Sequence, residues 1–320
     1  MAQPVSCRTN DAFWMNDEHD GGNNCFQTIE NNNVDLTIQY HHQQTISIGW
    51  RNLRYQSGKN VCCFGNHRKT ILHRLNGHFR YHTLNALMGP SGAGKTTLLN
   101  CFTGNSHNGL TEETEIYWNK EQNDKLLSYF IEQHVHESIV GEMTVGDTLW
   151  YAYRFKNTNQ TKQQTNRKMI KEFIQNIVKE LMLDPLVLER NFSDCSGGEQ
   201  KRIAVAQELM SLQKPSLLFV DEPTTGLDSN AALVVMNCLK QLTLNYRMTI
   251  IVTIHLPNNE TLNLFDKLYV LAKGGLCIYS GPPSMLHSYL FEKINLNIEQ
   301  IGQTNKLPIE ILLEIACNGL

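Results

Sequence analysis

The stretch "GPSGAGKTTLLNCFTG", Gly89 to Gly104, restricts this chain more than any other feature. It follows the short apolar run "TLNALM" and leads into a helix-forming segment, so a buried strand, a glycine-rich turn and a helix come in that order. Gly89, Gly94, Lys95 and Thr96 fill the fixed positions of the P-loop pattern G-x-x-x-x-G-K-[ST]. Glycines let backbone N–H groups close around a polyphosphate, and the dipole of the helix that follows favours negative charge. Lys95 would reach the β- and γ-phosphates, and the Thr96 hydroxyl would hold Mg²⁺. Chance alone would place this pattern in roughly one chain per hundred, and a plain glycine turn before a helix looks the same. The motif therefore needs partners elsewhere in the chain.

Two further apolar runs supply them. "PSLLFVDE" and "MTIIVTIH" have strand length and end in polar groups, as buried parallel strands do. At the end of the first, Asp221 suits the Mg²⁺ shell, and Glu222 suits orienting and deprotonating a water. At the end of the second, His255 would donate a hydrogen bond beside a γ-phosphate. Helices are expected at Lys95–Thr103, around 164–183, at 200–212 and at 230–243. "TISIGWRNLRY" alternates like a half-buried strand. The expected class is α/β, a mostly parallel sheet with an inserted α-helical subdomain over about 137–192, and the resemblance of the glycine-rich motif to that of the P-loop NTPases implies a RecA-like core with an antiparallel β portion.

"SDCSGGEQKRIAVAQELM", from Ser193, looks like a second phosphate grip. Ser196 and Glu199 form an S-x-x-E capping box, and Gly197 and Gly198 let the chain turn. A well-capped helix is one reading. The other follows from the first grip: a chain with its own P-loop needs no second helix N-terminus at the same phosphates. Ser196, Gly197 and Gly198 would then serve the nucleotide of another chain, with two chains facing head to tail.

The remaining features bound the setting. A formal net charge of -3 gives no electrostatic reason to expect nucleic acid. Nine cysteines, with no C-x-x-C pair, favour reduced thiols over a disulfide framework. No apolar run approaches the roughly 18 residues of a membrane span. Residues 1–44 are rich in Asn, Gln and His and read as a disordered tail, with His41 and His42 solvated.

Taken together, these motifs resemble the nucleotide-binding domain of ABC transporters over about 45–290. "GPSGAGKT" resembles Walker A (Gly89, Pro90, Ser91, Gly92, Ala93, Gly94, Lys95, Thr96, and then Thr97), "CSGGEQKR" the signature motif, and "LLFVDE" Walker B. "TGLDS", with Asp228, resembles the D-loop, and "TIHLP" the H-loop. The resemblance implies that Gln133 is the Q-loop glutamine touching Mg²⁺ and water, and that Tyr55 lies near the adenine-stacking position. "MTVGDTLWYAYRF", "TIHLPNNETLNLFDKLYVLAKGGLCIYSGPP" and "LPIEILLEIACNG" resemble the G subfamily, the White-type half-transporters. Leu256 for the usual Gln and Glu310 for the common Asp depart from that pattern. The resemblance implies an ATPase using ATP and Mg²⁺ that pairs with a second such domain, identical or not. It also implies work at the cytoplasmic membrane face through a membrane domain on a longer chain or a partner, toward which residues 291–320 would lead. The cargo implied is a lipid, sterol, pigment precursor or xenobiotic. Two alternatives are a regulatory fragment that pairs with full transporters and a soluble ABC-type ATPase. The 63 positions from Gln133 to Ser196 are too few for the long coiled coil of the soluble repair type.

Overall fold

The computed structural model describes residues 46–58, 68–104, 107–118, 128–133, 139–158, 166–294 and 306–318. The expected tail, with His41 and His42, lies outside them. The chain divides into two compact units, Met1–Tyr81 with Gly89–Lys125 and Lys267–Leu320, and His82–Met88 with Leu126–Asp266.

In the first unit, β1 (Ile46–Ser57) is the middle strand of an antiparallel sheet, between β2 (Lys69–Arg80) and β4 (Glu115–Trp118). A second antiparallel pair joins β8 (Lys267–Ala272) to β9 (Leu276–Gly281). The unit's helices are α1 (Lys95–Thr103), α7 (Leu286–Ile294) and α8 (Pro308–Asn318). The strand expected from "TISIGWRNLRY" is present, but its half-buried alternation is not: Ile46 to Trp50 are all buried. Trp50 accounts for much of this, because its ring lies 5.2 Å from Phe79, 4.8 Å from Phe102 and 5.1 Å from Tyr269. These aromatics tie β1, β2, β8 and the end of α1 together, and a cluster of this kind adds about 0.5–1.5 kcal/mol per pair beyond burial. The helix behind the P-loop is thereby anchored at its far end.

The second unit holds four parallel strands in the order β5 (Ser128–Ile131), β6 (Leu217–Val220), β7 (Thr249–Ile254), β3 (Leu84–Met88). β3, β6 and β7 are buried at every position, which is why their sequences are continuous apolar runs. Around them are α2 (Val145–Lys156), α3 (Arg167–Glu180), α4 (Gly197–Leu209), α5 (Ser229–Asn245) and α6 (Asn259–Leu262). On α3, Ile170, Ile174, Ile177 and Val178 form one buried stripe at helical spacing. Helix α4 starts at Gly197 rather than 200, because Ser196 occupies the N-cap and the glycines take the first two helical positions. Between 139 and 192 the described residues form helices and 3₁₀ turns with no strand beyond the isolated bridge of Thr144 with Asn191. No helix among the described residues is long and apolar enough to cross a membrane.

Candidate nucleotide site

The first grip is held by backbone geometry. Gly89 follows β3 at φ 143°, and a Cβ there would lie 2.3 Å from the Leu271 carbonyl oxygen, so no side chain fits. Gly94 caps α1 in the left-handed region at φ 99°, against Leu72. Lys95 is buried, and its Nζ donates to the carbonyls of Gly89 (3.0 Å) and Pro90 (3.2 Å). A charge buried in this way pulls the loop around itself. Ser91, Gly92 and Thr96 are exposed, Pro90 and Thr97 half-buried, and Ala93 buried. The N-terminus of α1 has no side-chain cap. That sets it apart from α2 to α6, whose first turns are capped by Thr144, Asn166, Ser196, Asp228 and Asn258 in turn. Uncapped N–H groups behind a glycine loop, with a lysine inside it and the Thr96 hydroxyl beside it, fit a polyphosphate and its Mg²⁺.

In the second unit, the parallel register brings several polar groups to one edge. Ile131, Val220 and Val252 are paired across β5, β6 and β7. Two residues further on, the same row holds Gln133, Glu222 and Ile254, with His255 next. Gln133 Nε2 donates to Glu222 Oε2 at 2.8 Å, and the Thr225 hydroxyl donates to the same oxygen at 3.0 Å. The other oxygen, Oε1, lies 2.5 Å from His255 Nε2. Glu222 itself is in the left-handed region at φ 47°, which is strained for a residue with a Cβ and costs on the order of 1 kcal/mol. Its N–H donates to the Thr253 hydroxyl at 2.8 Å, and that hydroxyl donates to Asp221 Oδ1. Thr253 thus holds both carboxylate residues from the neighbouring strand. Asp221 is buried and Glu222 nearly so, whereas His255 is 46% exposed.

Lys201, on α4, donates its Nζ to the Gln133 carbonyl at 2.5 Å. Burial lowers the pKa of this ammonium, and the carboxylates of Glu222 and Asp221 oppose that shift. Neither Lys201, Thr253 nor Thr225 stands out in the sequence. The one available signal was a threonine within the otherwise apolar run "IIVTI", since a buried hydroxyl needs a partner.

The second grip is the N-terminus of α4, and both halves of its capping box are formed. Ser196 and Gly197 are exposed and Gly198 is buried. Glu199 Oε2 accepts from the Ser196 N–H (2.8 Å) and hydroxyl (2.9 Å). Arg190 reaches Glu199 Oε1 at 2.5 Å. Burial alone would raise the Glu199 carboxyl, but the bonds from Arg190 and Ser196 outweigh it and bring the pKa down to about 2. Asp228 is exposed, and its Oδ1 caps α5 by accepting from the Ala231 N–H at 2.9 Å. Tyr55 is half-buried, and the backbone of Gly109 lies against its ring, where a Cβ would come within 2.4 Å. That packing occupies part of the ring expected near adenine.

Three comparisons with known proteins bear on the family and the fold. The family model for the ABC transporter matches residues 72–225. ABC transporter G family member 41 of Oryza sativa subsp. japonica is 35% identical over 258 residues, which cover 78% of this chain and 17% of that protein. G family member 11 of Arabidopsis thaliana is 32% identical over 224 residues, covering 69% of this chain and 31% of the relative. The chain thus spans less than a third of the length of these curated relatives. Among solved structures, a nucleotide-free ATP-binding cassette from an ABC transporter aligns with TM-score 0.59 at 20% identity, over 84% of this chain and 99% of that one. A dimeric cassette in a post-hydrolysis state, bound to ADP and Pi, aligns with TM-score 0.57 at 23% identity, over 73% of this chain and 98% of the other. These likenesses establish the fold.

Proposed function

Since this chain carries an ABC transporter nucleotide-binding domain, an ATP-binding and ATP-hydrolysing cassette with consistent matches to G family members, we propose that it is the motor of a half-transporter. Two such motors close on ATP and separate after hydrolysis. The observation that supports this reading most is Glu222, held by Gln133, Thr225 and His255 at the end of a parallel strand.

Lys95 and the uncapped N–H groups of α1 bind the β- and γ-phosphates. Thr96, Asp221 and Gln133 are the residues that would hold Mg²⁺, which when bound would draw charge from the phosphate oxygens. Glu222 orients a water in line with the γ-phosphorus and takes its proton as the new P–O bond forms. The bond to the β-bridging oxygen breaks, and ADP leaves with that oxygen. His255 donates to a γ-phosphate oxygen, and Tyr55 lies beside the adenine. Ser196, Gly197 and Gly198 complete the site of the partner chain, with Asp228 near the junction. The dimeric state of the solved ADP-and-Pi cassette is in keeping with such pairing. A membrane domain, on a longer chain or a partner, places the motor at the cytoplasmic face. It carries a lipid, sterol, pigment precursor or xenobiotic.

Replacing Glu222→Gln tests this on the purified chain. Mg-ATP binding should persist while turnover falls by roughly 10²–10⁴, the usual range for a lost general base. Unchanged turnover would remove Glu222 from the mechanism. The variant should also dimerise with ATP by light scattering, and adding Ser196→Arg should return it to monomer.

A further inference from the structure

The second grip contains a contradiction in charge. A triphosphate is to be gripped by Ser196 and the first N–H groups of α4, yet a carboxylate already sits there. Glu199 Oε2 is 2.9 Å from the Ser196 hydroxyl oxygen and accepts its proton. A serine hydroxyl has one hydrogen, so it cannot serve Glu199 and a phosphate together. When the hydrogen turns to a phosphate, Glu199 loses a donor at the moment a second anion arrives.

The cations nearby differ in where they point. Arg202 donates to the carbonyls of Gly198 (3.2 Å), Leu181 (3.2 Å) and Met182 (2.5 Å). Lys201 is directed to the Gln133 carbonyl. Arg190 is the one that meets Glu199, through Nη2 to Oε1 at 2.5 Å and Nη1 to Oε2 at 3.4 Å. Its backbone is fixed independently of that contact. The Arg190 N–H donates to the Val187 carbonyl at 3.1 Å, and its carbonyl accepts from the Val145 N–H at the start of α2 at 2.9 Å. A guanidinium with two parallel donors on one carboxylate holds it in a set orientation.

We propose that Arg190 is a positioning residue for the second grip: it neutralises and holds Glu199, so that the Ser196 hydroxyl can pass from that carboxylate to the γ-phosphate bound by a partner chain. This rests on the reading that Ser196 acts in trans. The depressed Glu199 pKa fits the arrangement, since the carboxylate stays ionised and needs a counter-charge throughout.

The test uses the Glu222→Gln chain, with the ATP concentration that half-saturates dimerisation as the readout. Arg190→Ala should raise that concentration about tenfold, the size expected for an uncompensated like-charge approach near the surface. The defect should shrink as salt rises. Arg190→Lys should recover part of it. Adding Glu199→Gln to Arg190→Ala should restore dimerisation, because the charge that needed neutralising is gone and glutamine still completes a capping box. A purely structural role for Arg190 would show no rescue by Glu199→Gln and no salt dependence. If Arg190→Ala dimerises like its parent, or if Glu199→Gln fails to rescue it, the proposal is wrong. If the Glu222→Gln parent itself stays monomeric with ATP, the trans reading fails first.

Discussion

Two described helix N-termini, those of α1 and α4, are built on a glycine loop or pair, and they are prepared in opposite ways. At α1 no side chain caps the first turn, and Lys95 is drawn inward by the Gly89 and Pro90 carbonyls. At α4 the chain supplies its own anion: Glu199 closes the capping box with Ser196 and is held by Arg190. A helix end without a side-chain cap has no carboxylate or hydroxyl of its own over its first turn, whereas a boxed end already has one. In the proposed function the first binds a phosphate by itself. The second already holds Glu199, and in the proposed function it would exchange that partner for a phosphate brought by a second chain. The difference gives a physical reason for the proposed ATP-dependent dimer to form and dissolve.

The largest effect that tests this contrast is at the first grip. Lys95→Ala should lower ATP hydrolysis by roughly 10²–10³ or more, as for other lost charge-stabilising donors, measured as phosphate release at saturating chain. Binding of ATP to the monomer should fall with it, whereas Ser196→Arg should leave monomer binding intact. If both variants lose monomer binding equally, the two ends are not different in kind. Next come the glycines. Gly89→Ala drives a Cβ against the Leu271 carbonyl oxygen and should cost roughly 2–4 kcal/mol in chemical denaturation. Gly197→Ala meets only the end of the Leu227 side chain, at 3.0 Å, and should stay within about 0.5 kcal/mol. Between those two falls Ser196→Ala, which removes the cap and should cost about 1 kcal/mol.

An effect that appears only as pH changes is expected beyond the far end of α4. Lys214 Nζ donates to the Leu209 carbonyl and lies over the rings of Phe173 (4.4 Å) and Tyr246 (5.2 Å). Burial lowers its pKa to about 8 from an ordinary 10.5. Between those values the unfolded chain binds more protons than the folded one, so this group makes stability rise with pH across that window. The half-buried Tyr246 hydroxyl, shifted up by burial and its bond to Glu180, acts the opposite way at higher pH. The difference between parent and Lys214→Met therefore isolates the lysine: the variant should lose the rise between pH 8 and 10.5. An identical pH profile would contradict the assignment.

How much of this could be read from the sequence depended on whether a signal was local. β3, β6 and β7 are buried on both faces, so their residues are apolar without a break and the strands were legible. β2 was not: "KTILHRLNGHFR" buries only Leu72, Leu75 and Phe79, and its polar residues hide the strand. β5 is four residues long, and β8 and β9 fall in a stretch read only as a family resemblance. The positions of Lys95, Asp221, Glu222 and His255 were legible because each directly follows a strand or a glycine turn. What holds them was not. Lys201 meets Gln133 from 68 residues away, Thr253 meets Asp221 from 32, and the left-handed backbone of Glu222 has no mark in its residue type. Arg190 and Glu199 are only 9 apart, but a 3₁₀ turn and an unwound segment separate them, so no helical spacing announces the pair.

The most direct test of the central claim separates the two grips between two chains. Both carry Glu222→Gln; one also carries Lys95→Ala and the other Ser196→Arg. Each is incubated with labelled Mg-ATP, alone and as an equal mixture, and then passed through gel filtration. If the second grip acts in trans, neither variant alone retains ATP in a dimer, while the mixture does, because one intact P-loop meets one intact Ser196. If the mixture stays monomeric, or if the Ser196→Arg chain alone forms an ATP-retaining dimer, the two grips do not work across chains.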